Sequence, residues 1–189
     1  MQALIRMKTF VFLYDKFADF EIAPLLLFLR ERADVITISF EQGCQKSEEQ
    51  LKVIVDSSFT EVDPDDVDLL IIPGGNPEPY RDREDFQDFL RRLHEKKKFI
   101  AAICGGPGFL AHAGLLRGLR VAHGYSIDDA QRVFEGSIIT DDDVVVEGNI
   151  ITARGQAFAE FAVAVCRELG LFQDEDEEQS SLNWLKNIR

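Results

Sequence analysis

A rhythm of short, unbroken apolar runs, separated by stretches of helical periodicity, constrains this chain more than any other feature. KTFVFLY (8–14), ADVITISF (33–40), VDLLIIPGG (67–75) and FIAAIC (99–104) read as buried strands. Between them FEIAPLLLFLR (20–30) and DREDFQDFLRRLHEKKK (82–98) read as helices. Pro24 lies near the first turn of one, where a missing N–H costs little. The other is acidic at its start and basic at its end, as the helix dipole favours. Such alternation predicts parallel strands joined by crossover helices. The expected fold is α/β: a three-layer αβα sandwich around a doubly wound, mostly parallel, flavodoxin-like sheet.

The rest of the chain fits that plan. EQLKVIVDSSFTEV (49–62) reads as a short strand and an edge excursion, and PGFLAHAGLL (107–116) as a helix. VVVEGNIIT (144–152) reads as a hairpin turning at Gly148-Asn149. In AFAEFAVAVCREL (157–169), Phe158, Phe161, Ala162, Val165, Cys166 and Leu169 share one helical face. QDEDEEQ (173–179) carries five carboxylates in seven residues and reads as a solvated linker. The following SSLNWLKNIR is expected to form a terminal helix, with Trp184 and Leu185 seeking a surface to cover. The domain organisation is therefore one domain over 1–172 and an acidic, helical tail over 173–189.

Charge narrows the partners. A formal net charge of −13 argues against nucleic acid, whose phosphates need clustered Lys and Arg, and against an anionic membrane surface. The opening MQALIRMKTFVFLY does not read as a secretory signal, and no apolar run approaches the ~20 residues of a spanning helix. Three unevenly spaced cysteines make neither a disulfide framework nor a zinc site. A cytoplasmic, reduced location is expected.

In open parallel sheets ligands bind beyond the carboxyl ends of the strands. Three loops reach that edge: DKFADFE (15–21), PGGNPEP (73–79) and CGGPG (104–108). Cys104, between a strand and a glycine-rich turn into a helix, has the layout of a nucleophile elbow with sulfur in place of oxygen. The helix start is expected to lower its pKa. Glu21, at the start of the first helix, faces the same edge; a carboxyl beside a thiol is sensible when the two share one proton. Gly74 and Gly75 form either a simple turn or, with Gly105, backbone donors for an oxyanion. His123 is either a proton shuttle at that edge or a structural histidine. His94 reads as solvated, His112 as packed or solvent-facing, Cys166 as core and Cys44 as an ordinary loop residue.

AAICGGPGFLAHAGLL, the FADFE loop, DLLIIPGG and IITARGQAFAEFAVAV together resemble the ThiJ/PfpI (DJ-one) superfamily, over about Lys8 to Leu169. The resemblance implies a flavodoxin-like homodimer that works without cofactor or metal. It implies an oxidisable nucleophile, Cys104, hydrogen-bonded to a protonated Glu21, with backbone donors at Gly75 and Gly105. Departures narrow the activities. Peptidase-type members carry His directly after the nucleophile, where this chain has Gly105, and glutamine amidotransferases use a late His-x-Glu, whereas no histidine follows His123. Neither a typical protease nor a glutaminase is expected. His123 lies near the histidine of glyoxalase-like members, and Gln156 and Ala157 stand where Pro and Gly are common.

The leading expectation is a Cys104-dependent hydrolase or lyase acting on small carbonyl compounds or their adducts, assisted by Glu21 and His123. The alternative is an oxidative-stress sensor or chaperone that uses oxidation of Cys104 without turnover. A nucleotide site at PGGNPEP is disfavoured, since it lacks Lys and Glu78 would repel phosphate.

Overall fold

The structure, a computed structural model, describes residues 6–188. Residues 1–5, which open the expected domain and the expected non-signal start, and Arg189 at the end of the tail lie outside the described residues. The strands are β1 (Met7–Phe12), β2 (Ala33–Ser39), β3 (Cys44–Lys46), β4 (Lys52–Ile54), β5 (Ser57–Ser58), β6 (Leu69–Ile72), β7 (Phe99–Ile103), β8 (Arg120–Val121), β9 (Ile138–Ile139), β10 (Val144–Glu147) and β11 (Ile150–Ala153). The helices are α1 (Ala23–Leu29), α2 (Glu84–Glu95), α3 (Pro107–His112), α4 (Ile127–Val133), α5 (Phe158–Glu168) and α6 (Glu175–Leu185).

Seven strands form the main sheet in the order β10-β11-β7-β6-β1-β2-β5. All neighbours run parallel except the β10–β11 hairpin. The chain winds one way from β1 to β2 and the other way from β6 to β7, so the topological switch lies between β1 and β6. α1 and α5 pack together on one face, and α2 and α3 on the other. The αβα sandwich expected from the apolar rhythm is the architecture observed.

The central strands are buried throughout β6 and nearly so along β7, which explains their unbroken apolar runs. Ala101 and Ala102 pair with Ile71 and Ile72 of β6 on one side and with Ile151 and Thr152 of β11 on the other. Beneath α2 and α3 an aromatic wedge fills the core. Phe12 stacks on Phe86 at 4.1 Å and meets Phe40 and Phe109 edge-on at 4.9 and 5.6 Å.

Three expectations change. The acidic run is not a linker: from Glu175 it forms the first half of α6. Asp174 caps that helix by accepting from the Glu177 amide at 2.9 Å, and four carboxylates in the first turn suit the positive end of the dipole. α6 lies on α5, with Arg167 pairing Glu178 at 3.0 Å and Lys186 pairing Glu160. Cys44 sits exposed on β3, paired with β4, rather than in a loop. Finally, α1 begins at Ala23, so Glu21 precedes the helix instead of occupying its first turn.

Candidate active site

β1, β6, β7 and β11 are consecutive or near neighbours, and the loops leaving their carboxyl ends converge. From β7 the chain enters the elbow at once. Cys104 has φ +60, the left-handed region that costs a non-glycine residue about 1–2 kcal/mol. Its backbone is over-determined: its amide donates to the Ala153 carbonyl at 2.8 Å, and its carbonyl accepts from the Gly124 amide at 2.7 Å. Such strain, held by fixed neighbours, is typical of a functional turn. Gly105 is required by close approach, since a Cβ there would stand 2.0 Å from the Gly75 carbonyl oxygen.

Glu21 is only 2% exposed. Its Oε2 accepts from the Gly74 amide at 2.8 Å, and its carboxyl hydrogen-bonds the Cys104 side chain. How tightly the groups gather is shown by what a side chain at neighbouring glycines would meet. A Cβ on Gly155 would lie 2.9 Å from both Cys104 Sγ and Glu21 Oε1, and one on Gly124 would lie 2.6 Å from the sulfur.

Burial raises the Glu21 carboxyl to about 7, with the hydrogen bonds from Cys104 and Gly74 opposing. Burial, and then the charge and hydrogen bond of Glu21, push the Cys104 thiol up to about 12, with the Gly105 amide opposing. The helix start was expected to lower the thiol. It does not prevail: α3 is a six-residue helix, and burial of the thiol, followed by the Glu21 carboxyl beside it, outweighs it. The direction is that of a pair which keeps one proton between two groups near neutral pH.

The structure thus brings Cys104 and Glu21 together and separates two predicted roles. Gly74 was a candidate oxyanion donor, but its N–H is spent on Glu21, so it positions the carboxyl. Gly75, at φ +128, has no protein acceptor for its N–H among the described residues, while the Gly105 amide serves the sulfur. His123 does not join the pair. Its Nδ1 accepts from the Tyr125 amide at 3.1 Å and its ring stacks on Phe134 at 4.8 Å. No hydrogen bond links it to Cys104 or Glu21 among the described residues. Its neighbour Gly124 is what touches the sulfur. His112 is half-buried, 3.4 Å from Glu78, and His94 is half-buried rather than solvated.

Sequence reasoning missed Gly124 and Gly155, the two backbone walls of the thiol. A lone glycine after a strand carries little signal; for Gly155 the clue was its place beyond a central strand, at the binding edge. Among the described residues no three His, Cys, Asp or Glu side chains gather to hold a metal ion. No helix there is long and apolar enough to cross a membrane.

Residues 7–168 match the model of the DJ-1/PfpI family. The chain belongs to that family. A deglycase of Thermococcus kodakarensis is 37% identical over 125 residues, covering 65% of this chain and 75% of the relative. Protein/nucleic acid deglycase 2 of Escherichia coli is 33% identical over 118 residues, covering 60% and 69%. Among solved structures, a DJ-1 superfamily protein from Agrobacterium tumefaciens superposes with TM-score 0.84 at 26% identity, covering 97% of this chain and 100% of that one. A ThiJ/PfpI family protein from Bacillus anthracis reaches TM-score 0.86 at 23% identity, over 100% and 94%, a likeness of fold. Family membership confirms the resemblance read from the elbow and its companion loops.

Proposed function

We propose that this DJ-1/PfpI protein is a Cys104-dependent enzyme of the deglycase or glyoxalase type, acting on small carbonyl compounds or their adducts. The observation that carries the reading is the buried contact between Glu21 and Cys104, with Glu21 titrating at about 7. A general acid–base works best when its pKa lies near the operating pH. The deglycase names of the archaeal and Escherichia coli relatives support the same reaction class.

For a 2-oxoaldehyde the steps balance without an external oxidant. The Cys104 thiol loses its proton to Glu21 as the sulfur adds to the aldehyde carbon, giving a hemithioacetal. The Gly75 amide, without a protein acceptor among the described residues, is the donor available to the developing oxyanion, while the Gly105 amide serves the sulfur. Glu21 passes that proton to the new oxyanion and is a carboxylate again; it then carries the proton of the former aldehyde carbon to the adjacent carbonyl carbon while the hydroxyl proton passes to the adjacent oxygen, so one carbon is oxidised as the other is reduced. The product is a thioester. Water cleaves its carbon–sulfur bond, releasing a 2-hydroxy acid and restoring the thiol.

A standing redox sensor calls for an accessible, low-pKa thiolate. Burial and Glu21 push the Cys104 thiol up instead, so no standing thiolate supports that reading, and turnover relies on Glu21 to take the thiol proton during attack. The homodimer implied by the family resemblance is likewise proposed, and sedimentation velocity distinguishes it from a monomer. The functional test is methylglyoxal consumption by wild type, Cys104→Ala and Glu21→Gln. Loss of turnover in both variants is expected. Turnover surviving in Cys104→Ala would overturn the reading.

A further inference from the structure

The loop 14–21, which carries Glu21, has two neighbours. One is the glycine turn of the site: the Ala18 amide donates to the Gly74 carbonyl at 3.0 Å, and a Cβ on Gly75 would lie 2.7 Å from the Lys16 carbonyl oxygen. The other is the turn 47–50, which joins β3 to β4. The Lys16 amide donates to the Lys46 carbonyl at 2.7 Å, and the Glu48 amide to the Phe17 carbonyl at 3.0 Å. Ser47, itself buried, donates its hydroxyl to Asp19 Oδ2 at 2.7 Å. The Asp19 amide in turn donates to Glu49 Oε2 at 3.3 Å. The β3–β4 turn is thus fastened along the segment that ends in Glu21.

That fastening brings charge to the site. Loop and turn together carry Asp15, Asp19, Glu48 and Glu49 against Lys16 and Lys46, so the balance is negative. Glu48 and Glu49 are exposed, and nothing in the hydrogen bonding uses up the Glu48 carboxylate among the described residues. Charges in water are screened over about 8 Å at physiological ionic strength, so only carboxylates held close can act on the reacting pair. These do. Outside the pair, Glu48 and Glu49 are the charges that act most on Glu21, and Glu48 is the one that acts most on Cys104. Cys104 is only partly buried, so a small electrophile approaching its sulfur enters the same field.

We infer that the β3–β4 turn sets the charge selectivity of the site: Glu48, with Glu49 beside it, turns away oxo compounds that carry a carboxylate or phosphate and admits uncharged or cationic ones. The inference rests on the function proposed above and narrows its substrate class. The turn binds nothing itself; it acts through space on whatever reaches Cys104. Glu48 and Glu49 are specificity residues, and neither takes part in the proton transfers. Like charge at the entrance discriminates by repulsion, a device that needs no contact with the accepted substrate.

The test compares iodoacetate with iodoacetamide, alkylating agents of similar size that differ by one negative charge. Their rate ratio is read at the Cys104 peptide by mass spectrometry and divided by the same ratio for 2-mercaptoethanol. Both reagents meet one thiol, so the ratio cancels any change in its proton affinity. It is expected below one in wild type, to rise about threefold in Glu48→Gln/Glu49→Gln, and to rise in wild type as salt is added. Glutamine at 49 keeps an acceptor for the Asp19 amide. Glu175→Gln/Asp176→Asn removes as much charge from the start of α6, beyond Leu171, whose carbonyl accepts from Arg32 ahead of β2 at 3.1 Å. That variant should leave the ratio unchanged. A ratio that Glu48→Gln/Glu49→Gln does not move, an equal response to the α6 variant, or a Cys104 that neither reagent modifies overturns the inference. Methylglyoxal consumption is followed alongside. Turnover beside an unresponsive ratio overturns the charge selection alone; a responsive ratio without turnover supports the field over Cys104 and counts against the enzymatic reading.

Discussion

Glu21→Gln should make the folded protein more stable at pH 8 while abolishing its proposed chemistry. The folded state holds the Glu21 proton to about 7, against an ordinary 4.5, chiefly because the carboxyl is buried. Below pH 4.5 folded and unfolded states are both protonated and the group is neutral to stability. Between 4.5 and about 7 the unfolded chain ionises while the folded one does not, so stability falls as pH rises. At about 1.4 kcal/mol per pH unit, the loss is complete above pH 7 and amounts to roughly 3 kcal/mol. Glutamine has the same shape, accepts from the Gly74 amide through its carbonyl oxygen, and carries no charge to bury. Relative to wild type, Glu21→Gln is expected to gain about 2–3 kcal/mol at pH 8 and close to nothing at pH 4.5. Urea denaturation followed by far-ultraviolet circular dichroism at the two pH values reads the difference. An equal gap at both pH values, or a variant less stable at pH 8, would refute the assignment of a buried, proton-retaining Glu21.

Three further outcomes follow from the geometry. Gly124→Ala puts a Cβ 2.6 Å from Cys104 Sγ, so alkylation of Cys104 by iodoacetamide should slow by at least about tenfold, with the melting curve still cooperative. Asp174→Ala removes the cap of α6 and should cost about 1 kcal/mol in urea denaturation; no change would mean the acidic run contributes nothing as a helix. His123 is held below its usual 6.5 by burial and by Arg154, so the unfolded chain binds the extra proton first. Stability should therefore drop as pH falls through 6.5, and His123→Gln should flatten that acid limb in a thermal-melt series.

Much of this architecture is legible in the amino-acid sequence. β1, β6 and β7 announce themselves because strands buried on both faces need no polar alternation, and the elbow because Gly105 and Gly106 follow the apolar run directly. Cys104 and Glu21 could be named together because a parallel sheet delivers both loops to one edge. What stayed hidden depends on directions that residue types do not encode. That Gly74 donates to Glu21 rather than to a substrate is set by where one N–H points. That Gly124, and not His123, meets the sulfur is a matter of a single residue in register. The first half of α6 hid for another reason: its acidic start reads as solvent-loving, although Asp174 followed three residues later by Glu177 is a helix-start pattern. α4, with Ser126 accepting from the Asp129 amide at 3.3 Å, carried a similar signature and was not read.

The pairing of Glu21 with Cys104 is tested most directly by the pH dependence of Cys104 alkylation in wild type and Glu21→Gln, followed by mass spectrometry. Two groups that share a proton lose it in two steps, here near 7 and near 12. Wild-type reactivity should rise with a first midpoint near pH 7, and that step should vanish in Glu21→Gln. A single midpoint near the ordinary thiol value of about 8.5, the same in both proteins, would contradict the account.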